Sequence, residues 1–300
     1  MEIGLIRPYE IEYNNKDIID LDNYIRAQGH GVSMVYVDML GIKLGKDGIS
    51  IYQTLSRSER TPIEVDGAIM RHLGLIKDFE QFGHRIWAVR AMEQKGIRVI
   101  NPVLSWLAAG DKLAALAALA KSGIPVPDTI SSEHMFIGYD AVKEFGHVVI
   151  KQLRSNMGFG VFRIDDPDVA FQVFSYFINL NKPLYVQKYL NKRRGGDYRV
   201  IVVGGEAIGA EFRKGLNWKS NVAQGAKPMA TKMPAEMREM AVKSAEILGL
   251  DYVGVDIAET KDGYYVLETN PTISWQGFKK ATGINPAEKI VEHLIRKIKS

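Results

Sequence analysis

"YVGVDIAETKDGYYVLETNP", residues 252–271, holds two apolar runs that read as the strands of a hairpin, the second ending on a glutamate and an asparagine two positions apart. Side chains alternate across a strand, so Glu268 and Asn270 share a face, and an antiparallel partner brings Asp256 beside them. Two carboxylates brought together repel unless a cation stands between them, and all-oxygen ligands suit Mg²⁺ better than zinc. The plainer alternative is an exposed Asp256, a solvated edge charge at Glu268 and a turn-forming Asn270 ahead of Pro271. Magnesium held by few carboxylates normally keeps company with phosphates, so phosphate binders elsewhere in the chain decide between the two.

With 300 residues, 46% hydrophobic and 25% charged, the chain can bury a core of globular size divided among two or three units. A balance of 39 Lys+Arg against 35 Asp+Glu gives a net charge of +4, which favours anionic ligands. The absence of cysteine excludes disulfides, thiolate metal sites and a cysteine nucleophile. "MEIGLIRPYEIEYNN" lacks the apolar centre of a signal peptide, and no stretch approaches the roughly 20 apolar residues that span a bilayer. The reading is a cytoplasmic protein without a membrane segment.

Residues 1–100 alternate apolar runs ("EIGLI", "VSMVYV", "GAIMR", "RVI") with helical patterns over Asp17 to Gln28 and Lys77 to Lys95, the signature of parallel βαβ units. "GIKLGKDGISIY" interrupts them as a hairpin turning at Lys46-Asp47-Gly48. The character changes around Asn101-Pro102, and "GDKLAALAALAKSGIPVPDT" follows as an Ala/Leu-rich helix stopped by Gly123 and two prolines. Further on come a strand "HVVIK", a glycine-bearing loop, a helix from Pro167 to Asn179 and a strand "LYVQKYL". Two antiparallel strands, "DYRVIVVG" and "EAIGAEFR", follow, then a helix over Pro234 to Leu248, the opening hairpin and a helical pattern from Asn285. Lys112 at a helix start and Lys151 at a strand end are phosphate-binding candidates, against the alternative of ordinary surface lysines. "SNMGFGVF" adds a glycine turn whose N–H groups can approach a phosphate, or is a plain hairpin turn.

Taken in order, "GDKLAAL", "VVIKQLRSNMGFGV", "YVQKYLNKRRGGDYRVIVVG", "NWKSNVAQGA" and "GVDIAETKDGYYVLETNPTISWQGFKKATGI" resemble the ATP-grasp superfamily, specifically its RimK-like glutamate ligases, densely over residues 100–300. The resemblance implies an α/β protein with an α+β core. An N-terminal parallel α/β domain would span 1–104, a central subdomain with a glycine lid loop 105–186, and a C-terminal catalytic subdomain 187–300. It implies that Lys112 and Lys151 contact nucleotide phosphates, with Ser155, Gly158 and Gly160 in the loop folding over them. Gln187, Lys188, Tyr189 and Leu190 would form the hinge whose backbone meets the adenine, with Asp197 as the ribose-side acid. Lys219, Ser220 and Asn221 match a second nucleotide segment. Asp256, Glu268 and Asn270 match the ligands of two Mg²⁺ ions, for which Mn²⁺ can substitute, and Arg213 an arginine beside the transferred phosphate. Two positions depart: Lys188 stands where relatives often have glutamate, and Lys219 where relatives can have arginine, which loses the bidentate fork.

The implied chemistry is attack of a carboxylate on the γ-phosphate of ATP, then of an amine on the acyl phosphate. Lys151 and Arg213 neutralise charge, and Arg213 with Asn221 stabilises the oxyanion. The resemblance further implies L-glutamate as the amine, an acceptor carboxylate on a pterin or deazaflavin coenzyme or a protein C-terminus, and a dimer or tetramer. Arg71, His72, Arg199 and Trp275 are substrate-side candidates; for Trp275 domain packing is the alternative. Two rivals stay open at this point: a non-catalytic ATP-binding regulator on the same fold, and an RNA-binding protein built on "NKRRGGDYR", which lacks a nucleic-acid module.

Overall fold

The computed structural model describes residues 1–9, 15–56, 59–74, 78–153, 160–215, 218–220 and 225–300. The chain opens with β1 (Glu2–Arg7), α1 (Asn15–Ala27) and β2 (Gly31–Tyr36). A meander of β3 (Leu40–Gly45), β4 (Gly48–Ser56) and β5 (Glu59–Pro62) follows, its first turn closed by Gly48 at φ +93°. Then come β6 (Gly67–Met70), α2 (Phe79–Gln94), capped by Asp78 accepting from the Gln81 N–H at 2.7 Å, and β7 (Arg98–Ile100). Strands β2-β1-β6-β7 form the expected parallel sheet; β5 is a third meander strand that the hairpin reading did not include.

The middle of the chain runs α3 (Val103–Gly110), α4 (Lys112–Lys121), β8 (Thr129–Ser132), α5 (Met135–Phe145), β9 (Val148–Ile150), β10 (Phe162–Ile164), α6 (Pro167–Asn179) and β11 (Leu184–Lys188). Asp111 caps α4 through the N–H groups of Leu113 and Ala114, and Asp166 caps α6 ahead of Pro167, so both helices start where side chains supply the missing acceptors. Strands β10-β9-β11-β8 make an antiparallel sheet covered by α5 and α6.

The last sheet, β14-β13-β12-β15-β16, is antiparallel throughout. It comprises β12 (Asp197–Val203), β13 (Glu206–Lys214), β14 (Lys227–Ala230), β15 (Tyr252–Thr260) and β16 (Gly263–Asn270). α7 (Ala235–Ile247), α8 (Gln276–Thr282) and α9 (Pro286–Lys299) accompany it. One face buries Tyr198, Val200, Val202, Phe212, Val253, Val255 and Val266 against α4 and α7. The opposite face is divided lengthwise. At one end Ile201, Val203 and Tyr252 join Ile3, Leu5, Trp275, Phe278 and the α9 residues Ile290, Val291 and Leu294 in a second core. At the other end Asp197, Arg199 and Asp256 stand on that same face and open into a cleft.

β7 is tied to the last sheet through Asn101, which is fully buried. Its Oδ1 accepts from the Asp251 and Tyr252 N–H groups at 2.7 and 2.9 Å, and its Nδ2 donates to the Tyr252 and Pro271 carbonyls at 2.8 and 3.1 Å. Every hydrogen-bonding position that matters on this amide is used, and no hydrophobe can replace it. Asn101→Ala strands two donors and two acceptors in the core, and is expected to lower unfolding free energy by about 3 kcal/mol, read by urea denaturation.

Candidate active site

A cleft of about 1160 Å³ lies between the three larger sheets. Its floor is a row of charges dictated by register. Glu211 pairs Arg199, Arg199 pairs Asp256 and Asp256 pairs Glu268 on neighbouring strands β13, β12, β15 and β16. The pairing of β15 with β16 slips between Asp256 and Ile257, so Ile257 faces Val266 while Asp256 faces Glu268. That bulge transfers β16 from the core face, which holds Val266, to the cleft face, which holds Glu268. Alternation through Leu267 without it would leave the two residues on one side.

Arg199 meets Asp256 with a fork: Nε to Oδ1 at 2.7 Å and Nη2 to Oδ2 at 2.8 Å. Arg213 Nη2 reaches Asp256 Oδ2 at 2.8 Å and Asp197 Oδ1 at 2.9 Å, and its Nε donates to Asp197 at 3.1 Å. Burial opposes ionisation of Asp256, but the two guanidinium groups outweigh it and hold the carboxyl well below the usual carboxylate range. Burial acts against the Arg213 charge as well; Asp197 and Asp256 override it and keep the guanidinium ionised. Asn270 Nδ2 lies 3.5 Å from Asp256 Oδ2 and 3.4 Å from Glu268 Oε1, so the two carboxylates and the carboxamide converge as the hairpin reading requires. Among the described residues no group of three His, Cys, Asp or Glu side chains could hold a metal, so this donor set depends on the amide of Asn270. All-oxygen donors with two carboxylates fit Mg²⁺.

Across the cleft, α4 sets Lys112 beside β16, its Nζ donating to the Leu153 carbonyl at 3.2 Å. Burial lowers the Lys112 pKa against the pull of Glu268 and Asp111. Lys151 Nζ donates to Gln187 Oε1 at 2.7 Å, while Gln187 Nε2 donates to the Thr129 and Tyr185 hydroxyls at 3.1 and 3.3 Å. Desolvation pushes Lys151 down to about 8; Lys112 and Lys192 push the same way, and Glu268 and Asp197 resist. In the hinge, the N–H groups of Lys188 and Tyr189 are taken by the Asp128 and His147 carbonyls, both at 2.8 Å, so any base recognition there falls to other backbone groups.

Of the residues singled out from sequence, Lys112, Lys151, Gln187, Lys188, Tyr189, Leu190, Asp197, Lys219, Ser220, Arg213, Asp256, Glu268, Asn270, Arg71, His72 and Arg199 all line this cleft. Ser155, Gly158 and Asn221 lie outside the described residues. Gly160, at φ +66°, is not in the cleft lining. Trp275 is corrected from the substrate side to packing: its ring is fully buried, the Arg71 guanidinium lies 4.4 Å from the ring centroid, and its Nε1 donates to Asp20 at 3.1 Å. Arg71 is buried and donates to the Ile273 carbonyl at 2.8 Å. His72 accepts from the Gly74 N–H at 2.8 Å, and burial, with Arg71 and Arg7, lowers its pKa and favours the neutral ring. Arg199 serves Asp256. The departures are accommodated: Lys188 pairs with Asp128 at 3.2 Å and Lys219 lies 5.4 Å from the Trp218 ring centroid.

Sequence reasoning passed over Lys192 and Glu211. Lys192, in "NKRRGG", turns inward between Asp197 Oδ2 at 3.2 Å and Ser220 Oγ at 3.1 Å, whereas Arg193 stays solvated beside Glu259. Glu211 shares the inward face of β13 with Arg213, two residues on, and that alternation was its available signal.

A model of the RimK-like ATP-grasp domain matches residues 109–294. The chain belongs to the RimK-like ATP-grasp family. This RimK-like chain is 30% identical over 261 residues to "Tetrahydromethanopterin:alpha-L-glutamate ligase" of Methanosarcina acetivorans, covering 77% of this chain and 80% of that protein. It is 28% identical over 298 residues to "Probable alpha-L-glutamate ligase" of Maridesulfovibrio salexigens, covering 98% and 95%. Among solved structures, the ATP-grasp ligase PsnB complexed with minimal precursor, Mg and ADP superposes with a TM-score of 0.74 at 18% identity, over 99% of this chain and 98% of that one. The fold is therefore that of the ATP-grasp ligases, and the chain is an ATP-dependent amide-forming ligase.

The lowered Lys151 pKa has a stability consequence. The native state releases this proton near pH 8 and the unfolded chain near 10.5, so stability attributable to Lys151 rises with pH across that interval. Compared with Lys151→Met, the parent is expected to gain about 2 kcal/mol between pH 8 and 10 in urea denaturation series.

Proposed function

We propose that the chain joins L-glutamate to an acceptor carboxylate through an acyl phosphate, at the cleft between the charge row and the two lysines. One observation carries the reading. Cationic Lys112 and Lys151 face a convergent Asp256–Glu268–Asn270 set, with Arg213 held ionised between, in one cleft of a family that ligates with ATP. Lys112 and Lys151 bind the nucleotide phosphates, and a phosphate beside Lys151 restores the proton that desolvation drives off. Asp256, Glu268 and Asn270 would hold Mg²⁺, two ions for which Mn²⁺ could substitute, and the metal would neutralise charge on the transferring phosphoryl group. The acceptor carboxylate oxygen attacks the γ-phosphorus and ADP leaves; the amine then forms the C–N bond, phosphate departs, and the amine loses a proton.

Arg213 lies on the floor, kept ionised and fixed in place by two aspartates, so its charge is positioned before negative charge develops beside it. Asp197 takes the ribose side through the same pair. Arg71 and His72, just past the C-terminal end of β6, border the acceptor's approach. The glutamate reading rests on the names of the relatives, and the Methanosarcina acetivorans protein favours a pterin coenzyme tail over a protein C-terminus. A cytoplasmic homodimer or homotetramer is part of the proposal. No single helix among the described residues is long and apolar enough to cross a membrane.

The test incubates purified protein with ATP, Mg²⁺, L-glutamate and glutamyl-tailed pterin, deazaflavin or ribosomal-protein peptide. A glutamyl mass gain with equimolar ADP is expected on one acceptor; ATP turnover yielding no adduct on any amino acid and acceptor would sink the reading. Glu268→Ala is expected to cut ADP release by more than about 100-fold. Its melting temperature should hold, because the side chain is half-buried at a strand end; parent-level turnover would remove Glu268 from the metal site.

A further inference from the structure

The cleft contains one acidic side chain that no part of the phosphoryl-transfer machinery uses. Glu211 is 3% exposed and lines the cleft, and its Oε2 is buried with no hydrogen-bond partner among the described residues. The two arginines nearest in charge are already committed, Arg199 by its fork to Asp256 and Arg213 to Asp197 and Asp256. Gly277 faces Oε2 without a side chain; a Cβ there would stand 3.9 Å away. Burial pushes the Glu211 pKa up, against the pull of Arg199 and Arg213. A buried carboxylate oxygen left unmet costs more than the hydrogen bond itself returns, so the position is built for a donor that arrives with a ligand.

We propose that Glu211 binds the ammonium group of the incoming amino acid at the β13 side of the cleft, from where the nitrogen, once it has given up a proton to solvent, attacks the acyl carbon. The inference rests on the ligase reading above, and charge selects among its reactants. ATP and the acceptor carboxylate are anions, which Glu211 repels and the lysines attract, whereas the amino acid carries the one cationic group. Position agrees. Glu211 and Arg213 are two residues apart on one face of β13, roughly 7 Å along the strand, so an amine at Glu211 stands within a small-molecule length of a carbonyl oxygen at Arg213. Metal binding at Glu211 is disfavoured because Arg199 stands between it and Asp256 in the row.

The test titrates L-glutamate and glutarate, which lacks the amine, into the full-length protein saturated with ADP and Mg²⁺. Parent and Glu211→Gln are compared by calorimetry, with ADP affinity and melting temperature as checks on the fold. L-glutamate is expected to bind Glu211→Gln roughly 10- to 100-fold more weakly, while glutarate and ADP bind both proteins alike. Equal L-glutamate affinity in the two proteins, or parallel loss of glutarate, overturns the assignment. A parent that binds ADP·Mg and another amino acid in place of L-glutamate overturns the glutamate reading alone; Glu211 is then judged by the same comparison with that amino acid and its deamino analogue. A parent that binds ADP·Mg and no amino acid overturns both.

Discussion

The pair of arginines across β12 and β13 is the constraint on which the cleft depends. Asp197, Arg199, Arg213 and Asp256 sit on three adjacent strands, all buried except the half-buried Arg199, and each aspartate is met by at least one guanidinium. Any one of these charges alone would be costly to bury. Together they cancel, which lets the antiparallel sheet carry ionised groups on its inner face where an ordinary sheet carries hydrophobes. The strands are held in register by apolar neighbours on the other face, Val200, Phe212 and Val255, so the charges are positioned by a core they do not belong to.

β12 shows how economically this is done. Its alternate residues Asp197, Arg199, Ile201 and Val203 share one face, yet the first two border the cleft and the last two pack with Ile3, Trp275 and α9. The strand is floor to the site and fastening to the first sheet. Arg71 belongs to the same junction: stacked on Trp275 and bonded to the Ile273 carbonyl, it brings the C-terminal end of β6 to the cleft wall.

Much of this was legible in residues 252–271 and the segments around them, because period-two alternation and charged residues in apolar runs survive translation into sheet faces. Glu268 and Asn270 share a face as alternation demanded, while the slip in pairing is what sets Asp256 opposite Glu268. Local pattern was blind to what depends on partners distant in sequence. Trp275 looked equally suited to a ligand or a core, and burial against Arg71 and Asp20, over 200 positions earlier, decided for the core. Lys192 sat in a basic run that reads as solvated, and its inward turn is fixed by Asp197 and Ser220. The slip between Asp256 and Ile257 has no residue signature, since it adds one position without glycine or proline. Glu211 was overlooked because a single glutamate in a strand is ordinary until its neighbours' charges are known to be spent.

The second core has a bearing on how the chain is made. Leu5 and Ile69 of the first sheet pack with Ile290, Val291 and Leu294 of α9, and Gly67 lies so close to Leu294 and Ile298 that a Cβ would collide. The β1 and β6 strands therefore leave the ribosome early but stay only partly covered, by Ile18, Leu21 and Ile25 of α1, until residues 290–298 have been synthesised. For that interval the nascent chain presents apolar parallel strands, the arrangement most exposed to mispairing and most in need of a chaperone's cover.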